Sequence, residues 1–213
     1  MGLPPKFACD ISKEEINRLP VRRWEGAVHL VQSSEQMAAV APALWREKVL
    51  GFDTETKPVF KKGVTHKPSL IQLATSEAVY LFQLNRMKDY SQLIQLFESS
   101  EILKVGVGLD GDTRDLQDVF AFEHSAFVDI GETARERGLN KTGLRNMAAR
   151  FFSIRISKRA QCSNWARWDL KDYQITYAAT DAWISREIYL LMHKLGFFNE
   201  APENADAQKS HPS

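Results

Sequence analysis

The apolar run Val49-Leu50-Gly51-Phe52 stops abruptly at Asp53-Thr54-Glu55. A short apolar run bounded by polar residues reads as a buried strand, here Val49 to Asp53. Ser69 to Thr75 and Ala78 to Leu84 are two further strand-like runs, joined by the tight Ser76-Glu77 link of a hairpin. Ala27 to Val31, Leu103 to Gly108 and Phe127 to Ile130 complete the predicted strands. Helical spacing alternates with them. Ser34 is expected to cap a helix to about Arg46, and Tyr90 to Phe97 and Asp112 to Phe122 are two more. Thr142 is expected to cap a helix through Phe152. Asp169 and Asp172 open a long one from about Leu170 to Lys194, which Gly196 ends. A hairpin followed by helix-separated strands predicts an α/β fold with a mixed β-sheet flanked by helices.

This pattern divides the chain into three segments. Residues 1–26 form an N-terminal arm with a short helix around Lys13 to Arg18, residues 27–198 the folded domain, and residues 199–213 an expected disordered tail. The 44% apolar content suffices for a full core. No apolar stretch reaches the ~20 residues of a membrane span, so no membrane partner is expected. Met1 to Lys6 lacks a signal-peptide apolar region, and Lys6 does not suit myristoylation. Only Cys9 and Cys162 are present, which favours a reducing, cytoplasmic setting over a disulfide framework.

Charge adds a local feature. The net charge is +1, yet residues 135–171 hold ten Lys or Arg against two acids. Such a band attracts phosphates locally, although a solvated helical face has the same composition. A second basic stretch, Lys57 to Lys67, falls in a loop marked by Pro58 and Gly63.

The candidate chemistry lies in oxygen-bearing side chains. Asp53 and Glu55 sit at a strand end, where ligands collect in open sheets. Tyr177 and Asp181, four residues apart on a helical segment, share one face. With Asp112 they make a carboxylate set that would repel itself unless cations neutralise it. Two hard divalent ions, Mg²⁺ or Mn²⁺, suit such a set and would serve phosphodiester hydrolysis. The five histidines have no zinc-ligand spacing with one another or with the cysteines. Taken singly each acid has an ordinary reading: Asp53 as a strand end, Asp112 as a helix cap, Asp181 as a solvated helix residue.

Order and flanking residues together resemble a known family. Asp53-Thr54-Glu55, Gly108-Leu109-Asp110-Gly111-Asp112 and Tyr177-Ala178-Ala179-Thr180-Asp181 are similar to the three motifs of the DEDD 3′-5′ exonuclease superfamily, in its tyrosine subgroup. Pro68 to Ala74 and Ser163-Asn164-Trp165 extend the resemblance, which spans about residues 28–195. It is strongest toward the exonuclease domain of Werner syndrome helicase and weaker toward ribonuclease D. The resemblance implies a ribonuclease H-like fold and a two-metal 3′-5′ exonuclease acting on nucleic acid with a free 3′ end. It implies that Asp53 bridges two ions, that Glu55 and Asp181 complete one site, and that Asp112 holds the second ion. Tyr177 would orient the attacking water, and Glu55 with the Thr54 backbone would meet the terminal 3′-hydroxyl. Substrate contacts are expected from Phe60 or Leu109 against a base, and from Lys61, Lys62, Arg145, Lys158 and Arg159 on phosphates. Trp165 and Trp168 look like aromatic readers of a base, but packing in the core is the expectation. Ribonuclease D-like RNA trimming and a catalytically silent nucleic-acid-binding domain remain alternatives.

Overall fold

The organising strand is β2, which carries Asp53 and Glu55 and spans Val49–Thr56. The computed structural model describes Phe7, residues 9–61 and residues 63–199. Lys62, the first six residues and the expected tail beyond Asn199 lie outside the described residues. The strands β1 (Ala27–Val31), β2, β3 (Pro68–Ala74), β4 (Ala78–Gln83), β5 (Leu103–Gly106) and β6 (Phe127–Asp129) form one sheet in the order β1-β4-β3-β2-β5-β6. The expected hairpin is present, because β3 pairs antiparallel with β4 and with β2. The pairs β1 with β4, β2 with β5 and β5 with β6 are parallel. The sheet is therefore mixed, as the pattern predicted.

The helices are α1 (Lys13–Arg18), α2 (Ser34–Trp45), α3 (Ser91–Glu98), α4 (Leu109–Gln117), α5 (Ile130–Glu136), α6 (Leu144–Phe152) and α7 (Asp172–Lys194). Residues of α2, α3 and α4 pack on one face of the sheet, where Leu50 and Phe52 of β2 are fully buried. Ala178, Ala179 and Ala182 of α7 pack on the other face against Leu70 and Ala74. Burying Phe52 alone contributes about 1.5–3 kcal/mol. Small residues on that stretch of α7 bring its backbone close to the sheet. The closest approach is at Gly51, where a Cβ would run into the Ala182 carbonyl oxygen and lie 2.9 Å from Arg186 Cβ. Gly51→Ala should therefore lower stability by about 1–3 kcal/mol, read as an earlier urea midpoint. An unchanged midpoint would mean that α7 is not seated on β2 as described.

Several element boundaries differ from the sequence pattern, each for a local reason. Ser33, not Ser34, caps α2, accepting from the Gln36 N–H. β2 runs on to Thr56 because its pairing with β3 continues through Leu70 and Pro68. α4 starts at Leu109, after Gly108 at φ 80°, so Asp112 lies in its first turn and not at its cap. Residues 118–122 are outside it. Thr142 does not cap α6; Gly143 occupies that position. Lys171 stands at the cap of α7, leaving Asp169 outside and Asp172 as the first helical residue. The pattern missed α5 altogether, although Asp129 accepts from the Gly131 and Glu132 amides at its start. Gly196 ends α7 as expected, with φ 80°. Among the described residues, no helix is long and apolar enough to cross a membrane.

Candidate active site

Alternation along β2 points Leu50 and Phe52 to one face and Asp53 and Glu55 to the other, toward α7. α7 presents Asp181, one turn after Tyr177, above them. Carboxylate oxygens of Asp53, Glu55 and Asp181 all lie within 4.8 Å of one another. α4 brings the fourth acid: Asp112 Oδ1 accepts a hydrogen bond from Thr54 Oγ1 at 2.6 Å. The start of α4 is fixed from β6, because Asp129 Oδ2 accepts from the Gly108 and Leu109 amides at 2.7 and 3.0 Å. Strand and helices thus gather the five predicted groups at one end of β2.

The electrostatics are dominated by buried like charge. No described Lys or Arg pairs with Asp53, Glu55, Asp112 or Asp181. Burial first, then Asp181 and Asp112, push the Asp53 carboxyl well above the usual range. Burial and then Asp53 raise Glu55 to about 10. Burial raises Asp112 to about 6 against the opposing Thr54 hydrogen bond. Burial likewise raises Asp181 to about 7, against the Tyr177 hydroxyl. Asp181 Oδ1 is buried without a hydrogen-bond partner. Such a donor set, all oxygen and with three of its four carboxyls raised further by like charge, fits hard divalent cations. The Tyr177 phenol is also raised, by burial and then by Asp181 and Glu55, so it stays protonated at neutral pH. Its ring packs against buried Trp165 with centroids 6.0 Å apart, which fixes its direction.

The expected substrate groups divide. Arg145 and Lys158 line a cavity of about 230 Å³ that reaches Tyr177 and Asp181. Arg159 lines a second, of about 350 Å³, that also reaches Tyr177. Phe60 is 90% exposed beside exposed Lys61 on the basic loop. Leu109 corrects an expectation: it is only 3% exposed, because it packs into the core beneath α4 and does not face a base. Trp165 is in the core as expected, but Trp168 is 61% exposed, with the Arg86 guanidinium 4.5 Å from its ring. The sequence reading missed three supports. Asp129 was signalled by Glu132 three residues on, a capping-box pattern. The Thr54 hydroxyl, unlike its backbone, had no local signal. Arg22 and Arg23 of the arm lie against α7 beside Tyr177, outside the basic band.

Comparison with known proteins gives a consistent result. Residues 28–196 match the family described as 3′-5′ exonuclease. The chain is 35% identical over 174 residues to the bifunctional 3′-5′ exonuclease/ATP-dependent helicase WRN of Mus musculus, covering 73% of this chain and 12% of that protein. It is 27% identical over 168 residues to ribonuclease D of Haemophilus influenzae, covering 78% of this chain and 41% of that one. The solved EXO domain of Aedes aegypti Nibbler superposes with a TM-score of 0.75 at 26% identity, covering 83% of this chain and 93% of that one. The chain therefore spans well under two thirds of those two curated relatives, but nearly the whole of the solved domain. The mixed six-stranded sheet with flanking helices is the ribonuclease H-like fold.

Proposed function

This chain belongs to the 3′-5′ exonuclease family, and from that we propose that it hydrolyses DNA or RNA from a free 3′ end, releasing nucleoside 5′-monophosphates. The observation that carries the reading is the meeting of Asp53, Glu55 and Asp181 oxygens within 4.8 Å, with no ion pair to a described basic side chain. In this reading Asp53, Glu55, Asp112 and Asp181 would hold two Mg²⁺ or Mn²⁺ ions. Bound there, the ions would supply a lowered pKa for the attacking water and stabilisation of the leaving 3′-oxygen.

The protein groups do the rest. The Thr54 hydroxyl holds the Asp112 carboxylate in one orientation. Glu55 and the Thr54 backbone meet the terminal 3′-hydroxyl, which makes removal start at a chain end. Tyr177, kept protonated by its surroundings, directs the attacking water by a hydrogen bond and does not remove its proton. With Tyr177 in this role, the reading extends to the tyrosine subgroup of the DEDD superfamily. Exposed Cys9 and Cys162 fit a reducing cytoplasm, our assignment for the compartment.

The test is a 5′-labelled oligonucleotide incubated with Mg²⁺, Mn²⁺ or EDTA. The proposal expects a ladder shortening from the 3′ end only when metal is present. Shortening from the 5′ end, or a ladder in EDTA, would overturn it. Tyr177→Phe should lower kcat roughly ten- to hundredfold and leave measurable activity, the scale of one positioned hydrogen bond in a transition state. A total loss would instead assign Tyr177 a step that no neighbouring group can replace.

A further inference from the structure

The cavity beside Tyr177 is built partly by the arm that precedes the sheet. Val21 pairs with Arg155 in an isolated parallel bridge. The Arg22 amide donates to the Arg155 carbonyl, and the Arg155 amide to the Pro20 carbonyl, both at 2.9 Å. The Trp24 amide donates to Thr180 Oγ1 at 3.0 Å, one residue before Asp181. The arm backbone is thus stitched to the chain before α7 and to α7 itself. Its two arginine side chains are left out of that stitching: Arg22 and Arg23 are exposed and make no ion pair among the described residues. Both line the cavity of about 350 Å³, together with Arg159, Tyr173 and Tyr177.

The cavity's place relative to the carboxylates gives it a role. Asp181, Tyr177 and Tyr173 follow one another at four-residue spacing, so they line one face of α7. Tyr173 lies two turns from Asp181, about 12 Å along the axis. Stacked nucleotides rise about 3.4 Å each, so that distance corresponds to about three or four nucleotides. Tyr173 is 43% exposed, and the Arg159 guanidinium lies 5.7 Å from its ring. Three guanidinium groups face one acid there, Asp172. An aromatic ring among unpaired arginines is the combination that takes a single strand, with a base on the ring and phosphates on the cations.

We propose that Arg22, Arg23 and Tyr173 form a subsite for the strand about three to four nucleotides upstream of the scissile bond, with the arm as one wall. This rests on the exonuclease reading of the carboxylate site. The subsite favours longer strands: a dinucleotide does not reach it, whereas a decanucleotide does.

The experiment compares wild type with Arg22→Ala/Arg23→Ala on a dinucleotide and a decanucleotide. In wild type, KM falls as the strand lengthens. In the double variant that fall is lost, so KM for the decanucleotide rises on the order of tenfold, while log affinity against log salt flattens by about 1.4 for two lost phosphate contacts. Arg22→Lys/Arg23→Lys restores most of the length effect. Tyr173→Ala weakens decanucleotide binding without flattening the salt slope. The same four proteins are titrated with fluorescent decanucleotide in EDTA, so the subsite is judged even if nothing is cleaved. An absence of cleavage by wild type refutes the exonuclease reading. A double variant that binds the decanucleotide with wild-type affinity and salt slope refutes the subsite alone. Equal losses on dinucleotide and decanucleotide also refute it, because they assign the arm a purely structural part.

Discussion

Replacing Asp53 with alanine is expected to reduce cleavage of a 5′-labelled strand at least about a thousandfold, the effect of losing roughly 4 kcal/mol of transition-state stabilisation. Asp181 and Asp112 are the two acids that raise the Asp53 pKa after burial itself. Asp53 also acts on Glu55, whose carboxyl it raises more than any other group after burial. Asp181→Ala should match it, because Asp181 shares the cluster within 4.8 Å. The double variant should lose little more than either single one, since groups acting as a unit are not additive. Stability should move the opposite way. A buried carboxyl held above its ordinary pKa destabilises the metal-free fold when ionised, so Asp53→Ala should melt higher than wild type in EDTA. Activity and melting are measured on the same preparation. A variant that is inactive because it is unfolded would be exposed at once, and full activity in Asp181→Ala would rule out the site.

The second large effect is the response of stability to pH and metal. Asp112 titrates at about 6 and Asp181 at about 7 in the folded protein, and Glu55 at about 10. The ordinary values for these carboxyls are 3.8 for Asp and 4.5 for Glu. Between the ordinary and the raised values the folded state binds more protons than the unfolded chain. Stability therefore falls as pH rises through that window. In EDTA, melting should be highest near pH 4 to 5 and drop steadily through pH 7 and beyond. Excess Mn²⁺ at neutral pH should reverse the drop. At a hundredfold excess over Kd the gain is about 2.7 kcal/mol, or roughly 5–10 °C for a chain of this size. Asp53→Ala should lose most of the metal response but only part of the pH slope, because burial still raises Glu55, Asp112 and Asp181. A melting temperature that rises with pH in EDTA, or ignores Mn²⁺, would contradict the charge account of the site.

The parts of the fold and site that were legible in the sequence are those set by local pattern. β2 was readable because four apolar residues end at two acids with alternate spacing. Tyr177 and Asp181 were readable because their separation is one helical turn within a long element. The five site residues followed from motif order, and the structure brings all five together. What was not legible depends on contacts distant in sequence. Leu109 was expected against a base, but α4 begins there and the core takes its side chain. The start of α4 was misplaced because Asp112 is a good cap residue, whereas the turn is made by Gly108 in a left-handed conformation. α5 is short, and Gly131 and Thr133 weaken its helical pattern; its clearest signal was the Asp129 and Glu132 spacing. Arg22 and Arg23 lie more than a hundred residues from the basic band in the chain, and only the docking of the arm on α7 makes them neighbours of Tyr177.

The central claim is that Asp53, Glu55, Asp112 and Asp181 together hold two divalent ions. Crystals of the wild-type protein soaked in Mn²⁺ and measured for anomalous scattering test it most directly. The account predicts two peaks about 3.5–4 Å apart among these four side chains, and their loss in Asp53→Ala. An anomalous map with no manganese among the four carboxylates, from crystals whose dissolved protein still cleaves a strand in Mn²⁺, would contradict it.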